Sequence, residues 1–441
     1  MGIVKGNDIR GIYPDELNDE TAWRIGFYLK KVLGCDRILV GRDGRASSEP
    51  LFKALCKGIA ASGADVVSIG RCDTPAVYFA TARYGFEGSV MITASHNPPQ
   101  YNGFKISRKD SVPVGKEDGL GDLGELIRIK PAEEPEKGRM TELDITEDYK
   151  KHLLGFAKVK KPLKVVVDFS QGASCFFGKK ILSCVSSDFI YIFDEPDSSF
   201  SLHDPNPLKK SVHDTVKEAV IRENGDFGVC FDGDGDRAIF FDEKGSFISP
   251  DIITSFFASY YSGAEKGWKA FYDIRSSNSV REYIEKNGGT ASACRTGHSH
   301  IKKLMKENNA LFAGELSGHY YFRDNYFCDS GFIAFLIVLS ALSYQEKSLS
   351  TLLSDINPYS FSGEINFEVD DIDQVIEKIR ARYSHGRIDT TEGLRIDFEK
   401  WWFIARSSTA EPVLRLVVEA ESDEMMKKHV EEITAVINGE E

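Results

Sequence analysis

Four short stretches carry the side chains of this 441-residue chain whose types and spacing can do chemistry. Residues 232–237 read Asp-Gly-Asp-Gly-Asp-Arg between the apolar runs 227–231 and 238–241, which sets three carboxylates at alternate positions. Three like charges this close repel unless a cation neutralises them, so Asp232, Asp234 and Asp236 suggest a divalent-metal loop. An EF-hand is one rival, because Glu243 stands twelfth from Asp232. Its sixth position, however, is Arg237 instead of glycine, and the flanks look like strands instead of helices. A solvated acidic turn is the plainer alternative.

Residues 88–98 read Gly-Ser-Val-Met-Ile-Thr-Ala-Ser-His-Asn-Pro, an apolar strand running into a small polar loop with Ser95 beside His96. Ligands gather where strands of α/β domains end, although Ser, Asn and Pro equally suit a turn that leads into a helix. Residues 314–319, Gly-Glu-Leu-Ser-Gly-His, follow another apolar run and offer Glu315, Ser317 and His319 to sugar hydroxyls, or else form a hairpin turn. Arg406-Ser-Ser-Thr-Ala-Glu-Pro412 places a guanidinium and hydroxyls after the strand 402–405, a combination suited to phosphate. Basic residues also cluster in 295–303, where a solvated helix start explains Lys302 and Lys303 almost as well.

These loops need scaffolds, and the patterns between them read as strand, helix, strand. The runs 38–40, 51–61 and 65–69 make one such unit. A second runs from 164–168 through a helix near 175–184 to 189–192, and a third begins at 270–274. No strong residue-level repeat connects them. The last 80 residues, with a strand at 413–418 and an amphipathic helix at 424–438, suit a smaller α+β domain. The charged, proline-bearing stretch 130–139 looks like a solvated linker, placing a boundary near 145, with softer ones near 245 and 360.

Composition narrows the function classes. The chain is 41% hydrophobic and 28% charged, a globular balance, and its length suits about three or four domains. A formal charge of −13 disfavours nucleic acid and anionic membrane as partners. The eight cysteines are scattered without metal spacing and suggest buried thiols in a reducing cytoplasm. The N-terminus lacks a secretory pattern, and the apolar stretch 331–342 is too short to span a bilayer, which points to a buried helix.

Taken in order, Thr93-Ala-Ser-His-Asn-Pro98, Asp232-Gly-Asp-Gly-Asp-Arg237, Gly314-Glu-Leu-Ser-Gly-His319 and Arg406 to Pro412 resemble the α-D-phosphohexomutase family over nearly the whole chain. Asp8-Ile-Arg-Gly11, Gly41-Arg-Asp-Gly-Arg45, Tyr101-Asn-Gly-Phe-Lys105 and Thr296-Gly-His-Ser299 are also similar to its motifs. The Gly-Glu-Leu-Ser-Gly-His loop is similar to that of the bacterial phosphomannomutase type, which also acts on glucose phosphates. Phosphoglucosamine mutases usually carry Gln where Leu316 stands.

The resemblance implies an α/β architecture: three related mixed-sheet α/β domains plus a smaller C-terminal α+β domain around a central cleft, here 1–144, 145–245, 246–360 and 361–441. It implies a phosphohexomutase interconverting mannose 6-phosphate and mannose 1-phosphate through phosphorylated Ser95 and a hexose 1,6-bisphosphate, which also serves as activator. Mg²⁺ would sit among Ser95, Asp232, Asp234 and Asp236, with Arg237 helping to balance the carboxylates. Arg10 and Lys105 would stabilise the transferring phosphoryl group, and Lys105, ahead of His96, would assist proton transfer. Arg275, His298, Glu315, Ser317, His319, Arg406, Ser408 and Thr409 would hold sugar and distal phosphate. Partners are then small hexose phosphates, the enzyme a cytoplasmic monomer or homodimer.

Two departures stand out. Thr409-Ala410 replaces the family's usual residues after the loop serine, and Arg275 stands where some relatives have Lys, a planar fork for a point donor. The rivals are a phosphoglucosamine mutase or phosphoglucomutase, a metal-dependent phosphatase, and a non-catalytic sugar-phosphate-binding protein.

Overall fold

The computed structural model describes residues 2–131, 138–407 and 413–440; the core of the expected linker at 130–139 lies outside them. Three mixed sheets share one plan. In the first, strand Arg37–Arg42 lies parallel between Asp65–Arg71 and Gly88–Ile92, and the latter returns antiparallel as Tyr101–Arg108. In the second, Lys164–Asp168 lies between Asp188–Ile192 and Phe227–Phe231, which returns as Ala238–Phe241. In the third, Lys269–Asp273 lies between Thr290–Cys294 and Phe312–Gly314, which returns as Tyr320–Phe322. The Ser95 loop, the aspartate loop and the Gly-Glu-Leu-Ser-Gly-His loop are thus the same hairpin turn in three successive domains. Strand Met140–Glu142 adds to the first sheet beside Val66–Ser68.

The sheets also share a local device that the sequence reading passed over. At or just after the end of each central strand stands an aspartate whose Oδ1 accepts the backbone N–H two residues on: Asp43 from Arg45 at 3.0 Å, Asp168 from Ser170 at 2.7 Å and Asp273 from Arg275 at 3.0 Å. A short carboxylate that caps its own turn is a standard way to end a strand sharply. Against an otherwise diverged background, this Asp-x-Arg/Ser turn is a residue-level repeat.

The expected helix near 175–184 is only a 3₁₀ turn, Ala173–Phe176, and a short α-helix, Gly178–Leu182. The chain there is drawn onto the aspartate loop instead, with Ala173 N–H donating to Gly233 O at 2.9 Å. The helix expected at 331–342 spans Gly331–Ser343 and is buried on every face. Its Phe332 stacks on Phe231 with ring centroids 5.5 Å apart, and Ser330 caps its N-terminus. Among the described residues no helix is long and apolar enough to cross a membrane.

One continuous apolar core runs from Phe79 and Tyr149 through Phe169 and Phe231 to Phe312 and Leu336, welding the first three domains. The C-terminal domain has its own core around Ile379, Phe403, Leu416 and Ile433. It has an antiparallel sheet with strands Leu394–Asp397, Trp401–Ser407 and Leu414–Ala420 and helices Ile372–Arg382 and Asp423–Asn438. A small cluster, Ile274, Trp402, Ile404 and Val417, joins it to the third domain. Arg395 reinforces that joint, lying 3.8 Å over the Trp402 ring and donating to Asn278 Oδ1 at 3.0 Å.

Candidate active site

The hairpin turns of the first two domains meet head on. Ser95 Oγ donates to Asp232 Oδ2 at 2.8 Å, although the two residues are far apart in sequence. A side chain on Gly233 would place its Cβ 2.5 Å from Ser95 O, so only glycine permits this backbone approach. Thr74 fastens the pair from the first domain, its N–H and Oγ1 donating to Asp234 O at 2.9 Å and Asp234 Oδ2 at 2.6 Å. Ser95 itself is in the left-handed region, φ 52°, a conformation that costs a non-glycine residue about 1 kcal/mol and clusters at functional sites.

Asp232, Asp234 and Asp236 are all fully buried, and one oxygen from each lies within 4.8 Å of the others. Burial and the Asp236 and Asp234 charges push Asp232 well above the usual carboxylate range. Asp234 is lowered: burial opposes its charge, but the Lys105 ammonium outweighs it. Asp234 Oδ1 and Asp236 Oδ1 have no hydrogen-bond partner. Asp236 Oδ1 also faces His319 Nδ1 at 3.6 Å, but the set of hard, crowded carboxylate oxygens, with no sulfur among them, fits a divalent cation of the magnesium class.

Lys105 Nζ reaches Asp234 Oδ2 at 2.7 Å and Asp236 Oδ2 at 2.5 Å. Burial works against its charge, yet the two carboxylates hold it above the ordinary lysine range. His96 Nδ1 lies 3.3 Å from Ser95 Oγ, but the Arg237 charge, then burial, then Arg10 push its pKa down to about 2. Arg10 donates to Asn97 Oδ1 at 2.6 Å, beside the Ser95 turn.

The third domain supplies the opposite wall. Arg237 Nε donates to His319 Nε2 at 3.0 Å, while His319 Nδ1 faces Asp329 Oδ2 at 2.9 Å, which sets its tautomer. Asp329 in turn pairs with Lys302 at 2.8 Å. Lys302 is therefore buried against Tyr78 and is not part of a solvated helix start. Glu315 is buried, accepting from Tyr321 Oη at 2.5 Å and Gly297 N–H at 3.2 Å, and Ser317 Oγ is buried without a partner. The hairpin alternative for this loop is correct as geometry, and the polar cluster is built on it.

Ser95, His96, Lys105, Arg10, Asp236, Arg237, His298 and His319 line one cavity of about 560 Å³ together with Lys5, Asn7, Asp8 and Tyr78. Four cationic side chains face two carboxylates there, so an anion is favoured despite the acidic chain. Arg275, Glu315, Ser317 and Arg406 are not in its lining. Arg275 is gripped by Asp273, with Nε at 2.8 Å. Arg406 pairs with Glu364 at 2.8 Å, and Glu364 also binds Arg415 at 3.0 Å. Ser408 and Thr409 lie outside the described residues.

Sequence reasoning gave no role to Thr74, Asp329, Glu364 or Arg45. For Arg45 a signal existed, since Asp43-x-Arg45 and Asp273-x-Arg275 follow equivalent strands. The cysteines were expected to be buried; six are, but Cys184 is exposed and Cys175 partly so. Cys230 lies with Asp168 and His203 in a second buried cluster whose carboxylate and imidazole pair with each other at 3.0 Å.

Comparison with known proteins agrees with this arrangement. The chain matches the phosphoglucomutase/phosphomannomutase α/β/α domains I, II and III over residues 1–120, 147–245 and 249–359, and the C-terminal domain over 364–436. It is 37% identical over 439 residues to a phosphomannomutase of Methanocaldococcus jannaschii, covering 99% of this chain and 97% of the relative. It is 36% identical over 452 residues to a phosphomannomutase of Escherichia coli, covering 99% of each. The crystal structure of a phosphoglucomutase/phosphomannomutase family protein from Burkholderia thailandensis superposes with a TM-score of 0.89 at 29% identity, over 99% of this chain and 97% of that one. With all four domains matched and equivalent hairpins of its first three domains meeting in turn, Ser95 at Asp232 and Arg237 at His319, the chain belongs to the phosphoglucomutase/phosphomannomutase family of sugar-phosphate phosphotransferases.

Proposed function

We propose that the protein interconverts mannose 6-phosphate and mannose 1-phosphate, and to some extent the glucose phosphates, with Ser95 as phosphoryl carrier. The single observation that carries this is Ser95 Oγ held 2.8 Å from Asp232 in an aspartate cluster, at the floor of a cationic cavity. The substrate class comes from the mannose-phosphate relatives and from the Gly314–His319 loop. Magnesium bound by Asp232, Asp234 and Asp236, with the Ser95 oxygen beside them, would neutralise the phosphoserine and favour attack at phosphorus.

The chain's own residues do the rest. A sugar hydroxyl oxygen gives up its proton and forms a bond to the phosphorus of phosphorylated Ser95 as the bond from phosphorus to Ser95 Oγ breaks and Ser95 Oγ takes up a proton, giving a hexose 1,6-bisphosphate. After this turns around, Ser95 Oγ forms a bond to the other phosphorus as the bond from that phosphorus to the sugar oxygen breaks; Ser95 Oγ gives up its proton, the leaving sugar oxygen takes one up, and the phosphoenzyme is regenerated. Arg10 and Lys105 face the charge that is transferred. Lys105, held as an ammonium above the ordinary lysine range, suits charge stabilisation better than proton transfer. His96, whose pKa the Arg237 charge, burial and Arg10 push down, suits proton donation less. Arg406, with Ser408 and Thr409, is assigned to the distal phosphate, Arg275, Glu315, Ser317 and His319 to the sugar, and the segments 1–144, 145–245, 246–360 and 361–441 to the four walls of the cleft.

The test is a coupled assay with mannose 1-phosphate and glucose 1-phosphate, each primed with hexose 1,6-bisphosphate, with Mg²⁺ as the added cation. Turnover of mannose 1-phosphate at or above that of glucose 1-phosphate is expected. Turnover of a glucosamine phosphate in its place, or release of phosphate without isomerisation, would overturn it.

A further inference from the structure

The Ser95 turn is not held by its own hydrogen bonds alone. Four of its carbonyls converge on one guanidinium: Arg45 Nη2 donates to Ser95 O and Asn97 O, both at 2.7 Å, and Nη1 to Pro98 O at 2.9 Å and Tyr101 O at 3.2 Å. The Arg45 side chain is completely buried. Asp43 orients it through Nε at 3.1 Å, and the ring of Phe200, from the second domain, covers it at 5.0 Å. A planar fork with five donors can gather carbonyls from several directions at once; an ammonium cannot.

The equivalent turns brace the equivalent hairpins. Ser170 Oγ donates to Phe231 O at 2.5 Å, directly before the aspartate loop. Asp273 Oδ2 accepts from Leu316 N–H at 3.3 Å, inside the sugar loop. In each domain, then, the Asp-x-Arg/Ser turn at the end of the central strand contacts the neighbouring functional loop. We infer that Arg45 is the positioning residue of the phosphoserine loop: it keeps Ser95 in its left-handed conformation with Oγ aimed at the metal cluster, and Asp168–Ser170 and Asp273–Arg275 do the same for the other two loops. Its premise is that Ser95 carries the phosphoryl group, as proposed above.

Because Arg45 is not in the cavity lining, its loss should disturb phosphoryl transfer far more than substrate binding. Arg45→Lys keeps the charge and loses the fork; Asp43→Asn keeps Arg45 and weakens its alignment. Phosphorylation of dephosphorylated enzyme at Ser95 by glucose 1,6-bisphosphate would be followed by intact mass, beside steady-state KM and kcat and hydrogen exchange of residues 93–101. The expected result is a roughly hundredfold slower transfer in Arg45→Lys and about tenfold in Asp43→Asn, KM changed less than about threefold, and faster exchange confined to the loop. Wild-type transfer rates in both variants would overturn the inference. So would parallel losses in KM and in exchange protection across the first domain, the mark of a general structural role. Failure of the wild-type enzyme to take phosphate at Ser95 would instead overturn the proposed function.

Discussion

At the scale of single residues the proposed mechanism rests on one oxygen, Ser95 Oγ, and three buried carboxylates, those of Asp232, Asp234 and Asp236. Ser95→Ala removes the only oxygen placed to carry phosphate on that turn, and turnover is expected to fall at least about a thousandfold with the fold intact, checked by mutase assay beside thermal melting. Asp234→Asn should leave Lys105 with one charged partner and shift the Mg²⁺ titration of activity to higher concentration; an unchanged titration would exclude Asp234 as a ligand. His298 offers a pH test. Burial first, then the Lys302 charge, push its pKa down to about 3, below the usual 6.5. Below pH 6.5 the unfolded chain therefore binds a proton that the fold refuses, so this contribution is complete above pH 6.5 and is lost as pH falls towards 3. In denaturant titrations over that window, His298→Asn should flatten the pH dependence of stability by about 1.4 kcal/mol per pH unit.

At the scale of elements, the three hairpins are precise because rigid strands on both sides leave each turn little freedom. Gly233 is where two such turns touch. Gly233→Ala would drive a methyl group into Ser95 O, so it should reduce turnover strongly while costing much less in melting temperature, since either hairpin can retreat by itself. Helix Gly331–Ser343 is the opposite case. It lies under the second and third domains, and its Leu336 is fully buried. Leu336→Ala should cost about 2–5 kcal/mol of stability by chemical denaturation, with kcat altered little at temperatures where the protein stays folded.

Across the whole molecule, three domains share one core while the fourth is attached through a small apolar cluster, Arg395 and a few polar contacts. One of these is Glu392, which accepts from Thr296 N–H and Oγ1, both at 2.8 Å. With that distribution, a shift of the C-terminal domain as a unit would leave the core of the other three intact. Arg406 lies in that domain, so Arg406→Ala should raise KM and lower kcat together, each by about ten- to a hundredfold, and raise phosphate release relative to isomerisation, because poorer closure admits water. Steady-state kinetics beside phosphate release from labelled phosphoenzyme would measure both. Unchanged values would move the distal phosphate site away from Arg406.

Local pattern sufficed for much of this. Apolar alternation, breaks at Gly and Pro and the three alternating aspartates are written in residues adjacent in the chain, so strands, buried helix and the loop that gathers three carboxylates were legible. The ordered motifs identified the family because each is a short contiguous stretch. What stayed hidden depends on separation. Nothing in the sequence places Thr74 against Asp234, Lys302 against Asp329 or Glu364 between Arg406 and Arg415. Lys302 reads as a solvated charge until folding brings a buried carboxylate to it. Arg45, adjacent to its capping aspartate, reads as part of a turn until folding delivers four carbonyls to its fork. Residue type and short-range spacing name the chemistry that is available; burial and partners, which only the packed domains supply, settle which charge is paired, which histidine is neutral and which oxygen is left facing the cavity.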